Sequence, residues 1–89
     1  MTPKPFPNNL RTHRLSAGLR QIDVAIHLGL DCTDRISRWE NGLALPSIVN
    51  LFKLAHLYKQ APQELYKVLF IQSGQTFKHY EADFFPNHP

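Results

Sequence analysis

An all-α fold, a compact bundle of five short helices, is the architecture this sequence predicts, and three observations carry it. Apolar residues recur at helical spacing in several separate stretches, for example Val24, Ala25 and Leu28, or Leu51, Leu54, Ala55 and Tyr58. Between those stretches stand Gly18, Gly29, Asn41-Gly42 and Pro62, residue types that close or open helices. The chain has 89 residues, 43% hydrophobic and 19% charged, which leaves room for one small domain with a single core.

The elements follow in order. Residues 1–8 read as an extended arm, because Pro3, Pro5 and Pro7 fix φ and remove amide donors. Asn8 suits the N-cap of a first helix over about 9–17, with Leu10, Arg14 and Leu15 on one side and Gly18 at its end. A second helix covers about 21–28 and ends at Gly29. Leu30, Asp31 and Cys32 form a turn, with Asp31 or Cys32 at the N-cap of a third helix over about 33–40. There Ile36, Trp39 and Glu40 share the inner face, and Asn41-Gly42 closes the helix. Ser47 caps a fourth helix whose apolar stripe is Ile48, Leu51, Leu54, Ala55 and Tyr58. A fifth helix, about 62–72, starts at Pro62, faces Leu65, Tyr66 and Leu69 inward and stops at Ser73-Gly74. The domain is thus expected over 9–74.

The tail, 75–89, carries Phe77, Tyr80, Phe84 and Phe85 among charges, with no helical or alternating period of any length. Two roles are open to it: packing back over the small core, or a contact between two copies of the chain.

Several function classes are excluded as expectations. The lone Cys32 cannot close an internal disulfide, and the histidines at 13, 27, 56, 79 and 88 lack ligand spacing, so neither metal nor cofactor is expected. No glycine-rich phosphate loop and no nucleophile–base pair suggests an enzyme. No apolar run resembles a signal peptide or a membrane span, so a cytoplasmic protein without membrane association is expected. A net charge of +3 and a pI near 9.3 suit a polyanion partner without requiring one.

Residues 21–42 carry the functional signal. Two short helices joined by a glycine turn, the second anchored by Ile36 and Trp39, make the arrangement that inserts a helix into the DNA major groove. The outward residues of that second helix are Thr33, Asp34, Arg35, Ser37 and Arg38. Arginine can donate bidentately to guanine, threonine can touch a thymine methyl, and aspartate can accept from cytosine. Phosphates repel a carboxylate, so Asp34 is expected to orient Arg35 or Arg38 instead.

A family resemblance runs through the same residues. They are Leu10-Arg11, Arg14, Gly18-Leu19, Gln21, Val24-Ala25, Leu28-Gly29, Ile36-Ser37-Arg38-Trp39-Glu40-Asn41-Gly42, Pro46-Ser47, Leu51, Leu54-Ala55 and Leu65. Over about residues 9–70 the chain resembles the phage-repressor helix-turn-helix family, Cro-like or Xre-type. The resemblance implies a lambda-repressor-like fold and DNA backbone contacts at Gln21 and Asn41, with helix-start amides suited to phosphates. It also implies a partly buried ion pair of Arg14 with Glu40, charges that otherwise stand alone on apolar faces. Two departures matter. The segment from Gly29 to Ile36 is one residue longer than the usual pattern, which shifts the start of the third helix. Arg20 replaces a capping serine or threonine and becomes a phosphate-contact candidate at the expense of the cap. The expected function is a sequence-specific double-stranded DNA-binding transcriptional regulator, a repressor, with homodimerisation on a two-fold operator as one expectation for its assembly. The alternative is an antitoxin or other protein-binding module with the same fold.

Overall fold

The computed structural model describes the backbone of residues 6–84 and the side chains of residues 6–75. Its elements are α1 (Leu10–Ser16), α2 (Gln21–Leu28), α3 (Asp34–Glu40), α4 (Ile48–Tyr58), α5 (Pro62–Leu65) and α6 (Lys67–Phe84), and no strand occurs among the described residues. The core is built where the inner faces of α1 to α5 meet. Leu10, Val24, Ala25, Leu28, Ile36, Trp39, Leu54, Ala55, Tyr58, Leu65 and Tyr66 are all buried there. Ala25 is fully covered, and its small side chain lets α2 lie close to its neighbours.

The first four helices end in the same way. The chain turns left-handed at Gly18, Gly29, Gly42 and Lys59, with φ of 74°, 72°, 72° and 55°. The next amide then reaches back to a carbonyl inside the helix: Leu19 to Arg14 at 3.2 Å, Leu30 to Ala25 at 2.9 Å, Leu43 to Arg38 at 2.9 Å and Gln60 to Ala55 at 3.0 Å. These bonds satisfy carbonyls that a helix end leaves without partners. Glycine adopts that φ at little cost, whereas Lys59 does so against the clash of its Cβ.

The segment leading into α1 is stitched into the body rather than left as an arm. The Phe6 amide donates to Gly42 O at 3.1 Å, and Asn8 Nδ2 donates to Trp39 O at 2.8 Å, so both satisfy carbonyls at the end of α3. Asn9 does the same at the end of α5, through its amide to Leu65 O at 2.9 Å and Nδ2 to Glu64 O at 3.2 Å. The first five residues of the expected arm, with Pro3 and Pro5, lie outside the described residues.

The structure corrects the sequence reading at several places. Asn9, not Asn8, is the N-cap of α1; Asn8 instead accepts from the Leu10 amide through Oδ1 at 3.0 Å. Leu15 is 58% exposed and Ile48 66% exposed, so neither belongs to the inner stripe assigned to it. Leu15 follows the buried Arg14 off the inner face of α1, and Ile48 is the first residue of α4, next to its exposed cap Ser47 and ahead of the turns that bury Leu54, Ala55 and Tyr58. Thr33, not Asp31 or Cys32, is the N-cap of α3, because the turn after Gly29 runs on through Cys32 before the helix begins at Asp34. Ser47 caps α4 as expected, its Oγ accepting from the Asn50 amide at 3.1 Å.

The largest difference is at the C-terminal end. One helix was expected over 62–72, and the chain forms two. Tyr66, with φ −127° and ψ 48°, interrupts the helix. Leu65 and Tyr66 are 0% and 7% exposed, and adjacent positions on a continuous helix stand about 100° apart, so the break lets both face the core. The expected stop at Ser73-Gly74 does not occur. Gly74 is absent from the left-handed glycines and stays within α6, which runs on to Phe84. The side chains of Phe77, Tyr80 and Phe84, and all of Phe85, lie outside the described residues, as does the expectation that the tail packs over the core.

Candidate nucleic-acid interface

The α3 helix is held from its inner face. Ile36 and Trp39 are 1% and 5% exposed, and Glu40 is buried beside them. The Glu40 carboxylate accepts from Arg14 Nε at 2.6 Å, from Arg14 Nη2 at 3.1 Å and from Gln21 Nε2 at 3.0 Å. Arg14 Nη1 also donates to Leu19 O at 2.8 Å. The fork-to-fork bond to Glu40 holds the Arg14 guanidinium above its usual pKa, against a burial cost that would lower it. Burial, and secondarily the Glu40 charge, pushes the nearby Tyr58 hydroxyl well up. One carboxylate therefore fixes α1, the start of α2 and the end of α3 with respect to one another.

The start of α2 is set by its own residues. An arginine side chain has donors only and cannot cap the helix. Asp23 does part of that work, its Oδ2 accepting from the Arg20 amide at 2.8 Å, which satisfies a helix-start donor from the third position. The same carboxylate binds the Arg20 guanidinium through Nε at 3.1 Å and Nη2 at 3.0 Å. These bonds, side-chain first and backbone second, hold the Asp23 carboxyl down to about 2. The sequence reading treated the cap as lost at Arg20; the structure replaces it with Asp23.

The sequence-assigned reading residues divide by exposure. Arg35 and Arg38 are exposed, one helical turn apart, and among the described residues neither has a carboxylate partner. Both line a shallow groove that continues through Leu45, Ser47 and Asn50 to the start of α4. Thr33 is half-buried at the N-cap, and Ser37 is half-buried with its Oγ 3.3 Å from Asn41 Nδ2, which donates to it. Asp34 is exposed and forms no ion pair with Arg35 or Arg38 among the described residues, contrary to the orienting role expected of it. It occupies the first turn of α3, where a negative charge meets the positive end of the helix dipole. Gln21 is half-buried and stands at the first position of α2 with its Nε2 already given to Glu40, while Arg20 is tied to Asp23.

The arrangement presents two free cations on the outer face of a short helix, flanked by the polar residues Asn41 and Gln21 and the α2 start. That is the chemistry of a surface for phosphates and base edges. Asp23, which the sequence reading missed, and Asn8, which it took for the cap of α1, act behind this surface. Asp23 was legible as the third residue of a helix beginning at Gln21; Asn8 reaches over a distance that no local pattern encodes. Among the described residues no cluster of three or more metal-ligating side chains occurs, and no helix is long and apolar enough to cross a membrane.

Comparison with known proteins gives one positive result. Residues 10–65 match the family model described as helix-turn-helix. No curated protein and no solved structure gives a match.

Proposed function

The chain belongs to the Cro-like, Xre-type helix-turn-helix family of DNA-binding regulators, and from that membership we propose that it is a sequence-specific transcriptional repressor reading the major groove with α3. The observation that carries this reading is the pair Arg35 and Arg38, exposed and without carboxylate partners on a helix whose other face is locked by Ile36, Trp39 and Glu40. In the docked state Arg35 and Arg38 read base edges, with Thr33, Asp34 and Ser37 along the same helix bordering them. Gln21, Asn41 and Arg20 meet the backbone, where they set register without specifying sequence. For Gln21 the backbone amide at the start of α2 is the available donor, since its side chain is engaged by Glu40. Arg20 is highly exposed, and with Nε and Nη2 given to Asp23 its Nη1 remains to reach a phosphate.

Selection from random duplexes at a stated salt concentration tests the proposal. A two-fold or half-site motif should enrich. A second reading is favoured by Leu45, 49% exposed in the lining of the Arg38 groove, and by Leu43, 57% exposed two residues before it. Such an apolar fringe suits a protein partner, as for an antitoxin or other protein-binding module. No enriched motif, with binding lost at physiological salt, would favour that second reading.

A further inference from the structure

The C-terminal ends of α1 and α4 border a cleft of about 420 Å³, a size that takes a small organic molecule. Leu19 and Leu57 give it apolar walls. The polar side chains around them are His13, Ser16, Lys59 and Gln60, with no carboxylate in the lining. Lys59 stands out among these. It holds φ 55° at the end of α4, where the first three helices are followed by glycine at φ 72–74°. A Cβ is strained in that conformation, and such strain persists where the side chain itself is needed. Lys59 is exposed, and among the described residues it has no carboxylate partner. The cleft also touches the frame that holds α3. Leu19 gives its carbonyl to Arg14 Nη1 at 2.8 Å, and Arg14 Nε donates to Glu40 at 2.6 Å. Tyr58, 5% exposed in the same lining, feels the charges of both Glu40 and Arg14.

We propose that this cleft binds a small organic monocarboxylate, and that its occupancy reaches the end of α3 through Leu19, Arg14 and Glu40. The carboxylate meets the Lys59 ammonium, with His13 and Ser16 beside it, and the apolar body lies between Leu19 and Leu57. A neutral ligand would leave Lys59 without a counter-charge, and a second carboxylate would find no second free ammonium in the lining. A ligand packed on Leu19 shifts the carbonyl that Arg14 holds. Arg14 in turn shares Glu40 with Gln21, so α2 and α3 feel the shift together. The lining has no residue in common with the groove of Arg35 and Arg38. Nothing at this site depends on the DNA-binding reading, and its test contains no DNA.

Titration of the full chain with hexanoate, benzoate and phenylacetate, each beside its neutral amide and followed by NMR chemical shifts, reads the site directly. At least one acid should saturate with a Kd below about 10 mM, its largest shifts falling on His13, Leu57, Tyr58, Lys59 and Gln60. Smaller shifts should appear at Arg14 Nε and the Glu40 amide. The matching neutral amide should bind at least about tenfold more weakly, for want of the charge-assisted bond. Lys59→Gly keeps the fold, since glycine suits the left-handed turn, and should lose binding by a similar factor. Saturation by none of the three acids overturns the proposal. So does a Lys59→Gly protein, or a neutral amide, that binds as tightly as the wild type binds the acid. Shifts at the cleft with none at Arg14 and Glu40 would overturn the link to α3.

Discussion

The Glu40 carboxylate accepts from two nitrogens of Arg14 and from Gln21 Nε2, all within 3.1 Å, so removing it strands a guanidinium in a residue only 7% exposed. Glu40→Ala should therefore cost about 3 kcal/mol in denaturant unfolding, much of it from the uncompensated Arg14 charge. The double change Arg14→Met with Glu40→Leu should recover most of that loss, because a well-packed apolar pair replaces two desolvated ions. Asp23 gives a different kind of prediction. Its folded pKa, about 2, lies below the usual 3.8, so its contribution to stability is present above about pH 4 and is lost as pH falls through about 2. A carboxyl titration should find the depressed value. The stability gap between wild type and Asp23→Asn should close over that same acid window.

Among the elements, the shared ending of α1 to α4 exposes one inconsistency. Three of the left-handed positions are glycines and the fourth is Lys59, with φ 55°. Lys59→Gly should stabilise the fold by about 0.5–1 kcal/mol, since relief of the Cβ clash outweighs the added freedom of the unfolded chain. An unchanged unfolding midpoint would count against that account of the α4 terminus. The elements also show what the sequence could and could not disclose. The stops at Gly18, Gly29 and Gly42 and the cap at Ser47 are local chemistry, so the residue types alone locate them. The break at Tyr66 is not local: it arises because two adjacent side chains are drawn into one core. Gly74 misled in the opposite direction, since a glycine permits a stop without compelling one, and α6 runs through it.

For the whole molecule, the inner frame of the candidate interface was legible and its outer face only in part. Ile36, Trp39 and Glu40 follow from helical spacing, and the Arg14–Glu40 contact from the family resemblance, with which two charges on apolar faces agree. The roles of Thr33 and Asp34 were harder to read because the N-cap lies at Thr33, which leaves Asp34 in the first turn. Stitching of residues 6–9 to the ends of α3 and α5 depends on tertiary proximity, for which spacing gives no signal. The central claim is that α3 specifies sequence while the groups around it supply position. The most direct measurement compares binding of wild type and Arg35→Ala to the selected duplex and to a scrambled one at fixed salt. Discrimination should fall by about 1–3 kcal/mol in Arg35→Ala, with scrambled-duplex affinity changed far less. An equal loss on both duplexes would contradict the account, because Arg35 would then be one more phosphate contact and the reading would lie elsewhere.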